Sequence, residues 1–78
     1  MKNSNITIYS KPGCVQCTAT ARYLDQRKRP YTKIDVSEDA AAFDYVTKEL
    51  GYMQVPVVET SEGEHWYGFV PDRLAVYI

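Results

Sequence analysis

Apolar residues in short alternating or continuous runs predict four β-strands in this chain. Each run is rich in β-branched and aromatic side chains and is bounded by polar or turn-forming residues, as the strands of a small sheet are. The predicted strands are residues 6–9, 31–36, 55–60 and 65–68. A tight turn over residues 61–64 joins the last two strands, so we expect these two to form an antiparallel hairpin.

The apolar positions change to helical spacing after the first predicted strand. Cys17, Ala21 and Leu24 recur at i, i+4 and i+7, which puts them on one face of a helix that begins at Cys14. Pro30 is predicted to end this helix, because proline lacks the backbone N–H that a continuing helix needs.

Capping residues predict two further helices. Ser37 is a good N-cap for the second helix, Glu38 and Asp39 place acid in its first turn, and Gly51 supplies its C-terminal stop. The apolar face of this helix is predicted to consist of Phe43, Val46 and Leu50. Pro71 suits the first position of a short last helix over residues 72–77.

The predicted element order is βαβαββα, which makes this an α/β chain. The first βαβ unit requires a parallel pair of strands with a right-handed crossover, whereas the final hairpin is antiparallel. We therefore expect a four-stranded mixed sheet flanked by three helices. The 78 residues are predicted to form a single domain, residues 1–78, near the size at which one hydrophobic core is only just sufficient.

Cys14 and Cys17 are the only cysteines of the chain, and they stand where the first strand runs into the first helix. The unpaired N–H groups and the positive dipole end of that helix stabilise a thiolate at the first cysteine. The second cysteine lies one helical turn on and can close a disulfide with it. We therefore interpret Cys14 as the attacking sulfur and Cys17 as the resolving sulfur of a dithiol–disulfide exchange site.

Zinc binding is the alternative chemistry for such a cysteine pair. A structural zinc site needs four ligands, which usually come from two pairs. His65 is the only further soft ligand in this chain, and it lies far along the sequence, where we expect an exposed strand residue. We therefore expect no metal.

Composition narrows the class of protein. A hydrophobic content of 45% and a charged content of 24% are ordinary for a globular protein and exclude a disordered chain. The polar start contains no signal-peptide core, and no apolar run approaches transmembrane length. We expect a cytosolic protein that does not bind a membrane.

Charge is distributed unevenly along the chain. Residues 1–33 carry seven basic side chains against one acidic, a net of +6, whereas residues 34–78 carry two basic against nine acidic, a net of −7. We interpret this asymmetry as two solvated faces, with orientation of a partner as the alternative. The basic cluster of residues 27–29 is short and lies at a predicted helix end, so we expect no nucleic acid.

Three further features each have a structural and a functional interpretation. Lys11 is either a solvated loop residue or a cation that stabilises the thiolate or meets an anionic group of a partner. Pro56 is either a proline at a strand start or edge, or the second residue of a cis Val55–Pro56 bond whose backbone faces the active sulfur. The aromatic segment of residues 66–72 either fills the core or borders the site.

Three segments together resemble the NrdH-redoxins, which are small glutaredoxin-like proteins of the thioredoxin fold. They are residues 14–17 (Cys-Val-Gln-Cys), 54–58 (Gln-Val-Pro-Val-Val) and 66–72 (Trp-Tyr-Gly-Phe-Val-Pro-Asp). The resemblance covers nearly the whole chain, from Ile6 to Leu74. It implies the minimal thioredoxin/glutaredoxin-like fold.

The resemblance also implies a function. Cys14 and Cys17 would pass electrons from thioredoxin reductase, and ultimately from NADPH, to a class Ib ribonucleotide reductase. The protein would be a monomer with no bound cofactor besides its redox-active disulfide. The residues implied to contact substrates or partners are Lys11, Val15, Gln16, Val55, Pro56, Trp66, Tyr67, Gly68, Phe69, Pro71 and Asp72.

Residues 66–72 would also close the region in which glutaredoxins bind glutathione. The family pattern has serine where Tyr67 stands and arginine where Val70 stands, so the hydrogen bonds of those two side chains are not expected here. The alternatives are a glutathione-dependent glutaredoxin, an iron–sulfur carrier that shares a cluster through Cys14, and a non-catalytic binding module in which the cysteines are incidental.

Overall fold

The strands and helices follow the predicted order. The computed structural model describes residues 4–78, so residues 1–3 of the predicted 1–78 domain lie outside the described part. The strands are β1 (Ile6–Ser10), β2 (Thr32–Asp35), β3 (Val57–Thr60) and β4 (His65–Tyr67). The helices are α1 (Val15–Gln26), α2 (Ala40–Asp44), which continues as a π-helix over Tyr45–Glu49, and α3 (Pro71–Ala75). None of the helices within residues 4–78 is both long and apolar enough to cross a membrane.

The four strands form one mixed sheet in the order β2-β1-β3-β4. β1 pairs in parallel with β2 and antiparallel with β3, which in turn pairs antiparallel with β4. The predicted fold class, a four-stranded mixed sheet flanked by three helices, is confirmed. Since β1 is an inner strand, the chain leaves the middle of the sheet as it enters the Cys-x-x-Cys segment.

Alternation along the strands sends apolar side chains to both faces of the sheet. The first core, on the face that α1 and α3 cover, consists of Ile6, Ile8, Ala21, Leu24, Val58, Trp66, Leu74 and Tyr77. The second core, on the face that α2 covers, consists of Tyr9, Ala42, Val46 and Val57. The three predicted inward residues of α1 are all buried. The helical spacing from Cys17 onward therefore identified the correct face.

α1 ends earlier than predicted. Its last residue is Gln26, and Lys28 adopts a left-handed φ of 56°. This turn brings the N–H of Arg29 to the carbonyl oxygen of Leu24 at 2.9 Å, a pattern that commonly closes helices. The prediction that Pro30 ends the helix is wrong, because the left-handed turn stops it before the proline is reached.

α2 begins later than predicted. Asp39 is its N-cap, and the Oδ1 atom of Asp39 accepts the Ala42 N–H at 3.0 Å. Ser37 instead donates its backbone N–H and its hydroxyl to Asp35 Oδ1, at 2.8 and 2.6 Å. The prediction of a Ser37 cap, with Glu38 and Asp39 in the first turn, is wrong because the carboxylate of Asp35 engages Ser37 in a turn of its own.

The residues of α2 and of the π-helix that face the sheet differ in part from the predicted ones. Ala42 and Val46 are buried, whereas Phe43 is 51% exposed. The prediction that Phe43 lies on the inward face is wrong, because Ala42 and Val46, which are four residues apart, take that face instead. Gly51 follows the C-cap with a φ of 83°, a left-handed conformation that suits the predicted stop.

The remaining differences concern element ends. β3 begins at Val57, two residues later than predicted, because Pro56 has no N–H to donate to a neighbouring strand. β4 ends at Tyr67. α3 includes Pro71 in its first turn, as the missing N–H allows, and stops at Ala75, two residues before the predicted end.

Candidate redox site

The two cysteines are joined by a disulfide at the start of α1, with their Cα atoms 5.2 Å apart. Cys14 is the N-cap of the helix, and its Sγ accepts the backbone N–H of Cys17 at 3.1 Å. Cys17 is only 2% exposed, whereas Cys14 is half-buried. The sulfur of Cys14 is therefore the one that a partner can reach.

The local sequence explains this placement. Gly13 adopts a φ of 75°, a left-handed conformation that turns the chain from the end of β1 towards the helix. The Cys17 N–H in the first turn of α1 then points at the Cys14 sulfur, where it and the helix dipole stabilise a thiolate once the disulfide is reduced. The arrangement can supply one nucleophilic sulfur and one sheltered sulfur that attacks second.

The Val55–Pro56 peptide bond is cis, as the resemblance implied. The carbonyl oxygen of Val55 lies 3.7 Å from the Cys14 sulfur, and Pro56 is buried behind it. The backbone of Val55 therefore borders the reactive atom, which the interpretation of Pro56 as a simple strand-start residue did not require.

The loop between β4 and α3 also contacts the redox segment. Gly68 donates its N–H to the Pro56 carbonyl oxygen at 2.8 Å, and Phe69 donates its N–H to Gln16 Oε1 at 3.1 Å. Gly68 has a φ of 93°, and a Cβ atom at this position would lie 3.3 Å from the same Gln16 oxygen. The amide oxygen of Gln16, which the sequence predicted as a partner contact, is thus bound within the protein.

Trp66 and Tyr67 have different environments. Trp66 is 5% exposed and belongs to the first core, where its ring stacks on that of Tyr77 with centroids 6.1 Å apart. Tyr67 is 40% exposed and donates its hydroxyl to Gln54 Oε1 at 2.7 Å. Of these two aromatic residues, Tyr67 is therefore the one whose side chain is exposed at the surface.

An apolar groove of about 100 Å³ lies beside the Val55–Pro56 turn. Phe43 and Met53, which are 51% and 83% exposed, line it together with Val55, and Lys11 stands at the same groove as a cation. Val15, between the cysteines, is 82% exposed. The sequence analysis predicted Lys11, Val15 and Val55 as contact residues, and Phe43 and Met53 were not among its predictions.

Phe69, Pro71 and Asp72, which were also predicted as contact residues, have contacts or positions that a purely structural role explains. The ring of Phe69 packs edge-on against Tyr23, with centroids 6.0 Å apart. Pro71 and Asp72 are exposed in the first turn of α3, where the carboxylate of Asp72 complements the helix dipole.

Residues of the types that can ligate a metal are dispersed in the part of the chain that the structure describes. Residues 4–78 contain no group of three or more His, Cys, Asp or Glu side chains that could hold a metal ion. The predicted exposed residue His65 is half-buried, and its Nδ1 lies 2.7 Å from the Tyr52 hydroxyl.

Comparison with known proteins assigns this site to a family. The glutaredoxin family model matches residues 6–66. The glutaredoxin-like protein NrdH of Escherichia coli K12 is 36% identical over 69 residues, which cover 88% of this chain and 83% of that protein. The N-acetyl-S-hydroxy-L-cysteine reductase of Bacillus subtilis is 38% identical over 64 residues, which cover 82% of this chain and 69% of that protein. The solved structure of the E. coli NrdH-redoxin, described as having a thioredoxin-like activity profile, superposes with a TM-score of 0.87 at 34% identity over 95% of each chain.

Proposed function

The chain belongs to the glutaredoxin family as an NrdH-type thiol–disulfide oxidoreductase, and we propose that it carries electrons from thioredoxin reductase to a class Ib ribonucleotide reductase. NADPH would supply these electrons through the reductase. We propose that residues 1–78 act as a single monomeric domain in the cytosol, where thiols are kept reduced.

The observation that carries the proposed mechanism is the unequal exposure of the two sulfurs. The Cys14 thiolate attacks one sulfur of the acceptor disulfide, forms a mixed disulfide and releases the other sulfur as a thiolate. Cys17, 2% exposed behind it, then attacks the Cys14 sulfur and releases the second acceptor thiolate. Two electrons pass to the acceptor, and the carrier is left with the Cys14–Cys17 disulfide.

The backbone and the surface around Cys14 support a protein acceptor. The Val55 carbonyl oxygen, 3.7 Å from the Cys14 sulfur, is placed to accept an N–H from an extended segment of the partner. The exposed apolar side chains of Val15 and Met53 flank this position and offer area for a protein surface. Lys11, which lines the groove beside Val55, can pair with a carboxylate of the partner.

The Tyr67–Gln54 hydrogen bond favours thioredoxin reductase over glutathione as the source of electrons. This bond joins Tyr67, the last residue of β4, to Gln54, which directly precedes Val55, and so it lies along one side of the Val55–Pro56 turn. We propose that the ring of Tyr67 occupies the region in which glutaredoxins bind glutathione.

The test follows NADPH oxidation with a disulfide acceptor under two conditions. One reaction contains the cognate thioredoxin reductase, and the other contains glutathione with glutathione reductase. We expect turnover in the first reaction alone and none in either with Cys14→Ser. Turnover mainly with glutathione would make the protein a glutathione-dependent glutaredoxin. Absence of turnover in both reactions would favour the binding module.

A second candidate function is reduction of a small sulfenic acid, the substrate type in the name of the B. subtilis relative. The narrow groove beside Val55 favours it because Lys11, which lines the groove, can pair with the carboxylate of a small substrate. The Cys14 thiolate would attack the S–OH sulfur and release hydroxide, and Cys17 would then resolve the mixed disulfide. N-acetyl-S-hydroxy-L-cysteine as acceptor in the same assay tests it, and oxidation of NADPH no faster than with Cys14→Ser would exclude it.

A further inference from the structure

A series of contacts around the disulfide returns to the helix from which it starts. The Cys14 sulfur lies 3.7 Å from the Val55 carbonyl oxygen, and the next residue, Pro56, accepts the N–H of Gly68 at 2.8 Å. The residue after Gly68, Phe69, donates its N–H to a side chain of α1. Three segments that are distant in sequence are thereby held together at the reactive atom.

Gln16 closes this series. Its Oε1 accepts the Phe69 N–H at 3.1 Å, from a position two residues after Cys14 in the first turn of α1. The close approach depends on Gly68, because a Cβ atom there would lie 3.3 Å from the same oxygen. The Gln16 side chain is exposed, and its acceptor atom is bonded to the Phe69 backbone at the surface of the protein.

This arrangement matters because disulfide exchange requires two groups of the partner, its sulfur and its backbone, to be positioned at the same time. The partner sulfur must meet Cys14 in line, while the partner backbone bonds to the Val55 carbonyl oxygen. The distance between these two protein groups is set by how the Pro56 turn is held relative to α1. Small misplacements of reacting groups are costly, since about 1 Å can lower a rate about a hundredfold.

We propose that Gln16 is a positioning residue for disulfide exchange with protein partners. It holds the 68–69 loop, and through that loop the Val55–Pro56 turn, in fixed register with the Cys14 sulfur. This inference rests on the proposed exchange at Cys14 but goes further, because it assigns the second variable residue of the Cys-x-x-Cys segment to internal geometry rather than to partner contact.

Gln16→Met is the variant that tests it, because methionine has a similar length and no strong acceptor. Gln26→Met is the matched control, since Gln26 is an exposed glutamine at the other end of α1. Both variants are compared with the wild-type protein in three measurements. These are kcat/KM for reduction of insulin disulfides, the alkylation rate of reduced Cys14 by iodoacetamide, and hydrogen exchange of the Phe69 amide.

For Gln16→Met we expect kcat/KM with insulin to fall about tenfold and the Phe69 amide to exchange faster, while the alkylation rate stays within about twofold. Gln26→Met should match the wild type in all three measurements. An unchanged kcat/KM would overturn the proposal. An equal fall in alkylation would also overturn it, because Gln16 would then act on the thiolate itself. Failure of the wild-type protein to reduce any disulfide would instead overturn the proposed function, and the Phe69 amide would still report whether the bond forms.

Discussion

At the scale of single residues, Cys14 combines two roles in one atom. It occupies the N-cap of α1, where serine, threonine or aspartate usually supplies an acceptor oxygen, and its sulfur takes that place for the Cys17 N–H. A hydrogen bond of this kind is stronger to an anion than to a neutral group. The same bond that begins the helix therefore favours the thiolate needed for attack.

Serine substitutions distinguish the roles of the two cysteines. We expect Cys17→Ser to accumulate a stable mixed disulfide with a protein acceptor, because no second sulfur resolves it. Cys14→Ser should form no adduct at all, since serine keeps the cap but the remaining sulfur is 2% exposed. Mass spectrometry under non-reducing conditions measures both results, and an adduct on Cys17 at a comparable rate would reverse the assignment of roles.

Tyr67 provides a second prediction at this scale. Tyr67→Ser removes the ring that we propose covers the glutathione region, together with its bond to Gln54, so we expect glutathione-linked turnover to rise measurably above the wild-type background. Tyr67→Phe keeps the ring and loses only the bond, and it should remain close to wild type in the glutathione-coupled assay. Equal rates for the two variants and the wild type would show that this ring does not exclude glutathione.

The sequence was informative about residues whose chemistry is rare and uninformative about common ones. Two cysteines separated by two residues, at the junction of a strand and a helix and without a second ligand pair, indicate a redox pair. Gln54, Phe43 and Met53 carry no such signal, because a glutamine or an apolar residue becomes part of a site only through its neighbours in space.

At the scale of elements, the pattern predicted the order of strands and helices but not their ends. Helix ends are decided by competition between nearby caps. Asp39 prevails over Ser37 because Asp35 already engages the serine, and Lys28 turns the chain before Pro30 acts. The π-helix after Asp44 has no counterpart in a spacing rule based on 3.6 residues per turn.

The π-helix is tied to the sheet by a tyrosine that titrates at high pH. Tyr45 donates its hydroxyl to Glu59 Oε2 at 2.5 Å, and this bond, followed by burial, raises the pKa of Tyr45 to about 12. Since the folded pKa is above the unfolded value of about 10, the stabilisation is fully present below pH 10 and is lost as the pH rises from about 10 to about 12.

Tyr45→Phe is therefore expected to be less stable than the wild type near pH 8, with a gap that narrows near pH 11. Urea unfolding of both proteins at the two pH values measures the gap, and the wild-type–variant difference cancels the titrating groups that do not interact with Tyr45 or Glu59. A gap that stays constant between the two pH values would mean that the Tyr45–Glu59 bond does not stabilise the fold.

At the scale of the whole molecule, one thin sheet supports two unequal cores. Among residues 4–78, the first core contains eight buried residues between the sheet and α1 with α3, and the second contains four under α2. The βαβαββα order predicted this two-sided arrangement, because a parallel pair and a hairpin share one sheet. Predicting which part of the sheet each helix covers would also have required the strand register, and the pattern of apolar positions alone does not contain it.

A core residue of α1 tests how much of the stability depends on the first core. Leu24 is fully buried there, so Leu24→Ala should cost about 2–5 kcal/mol. A chain of 78 residues has about 4–12 kcal/mol in total, so one side chain represents a large share of it. Val15→Ala, on the same helix but 82% exposed, should change stability by less than about 0.5 kcal/mol.

Chemical denaturation of the oxidised proteins compares the two variants with the disulfide kept intact. Because α1 also carries Cys17, loosening of its inward face should expose the sheltered sulfur. Reduced Leu24→Ala is therefore expected to lose the difference in alkylation rate between its two cysteines before it unfolds. Equal unfolding midpoints for Leu24→Ala and Val15→Ala would contradict the predicted loss of stability. An unchanged difference in alkylation rate between the two cysteines of Leu24→Ala would show that the burial of Cys17 does not depend on the first core.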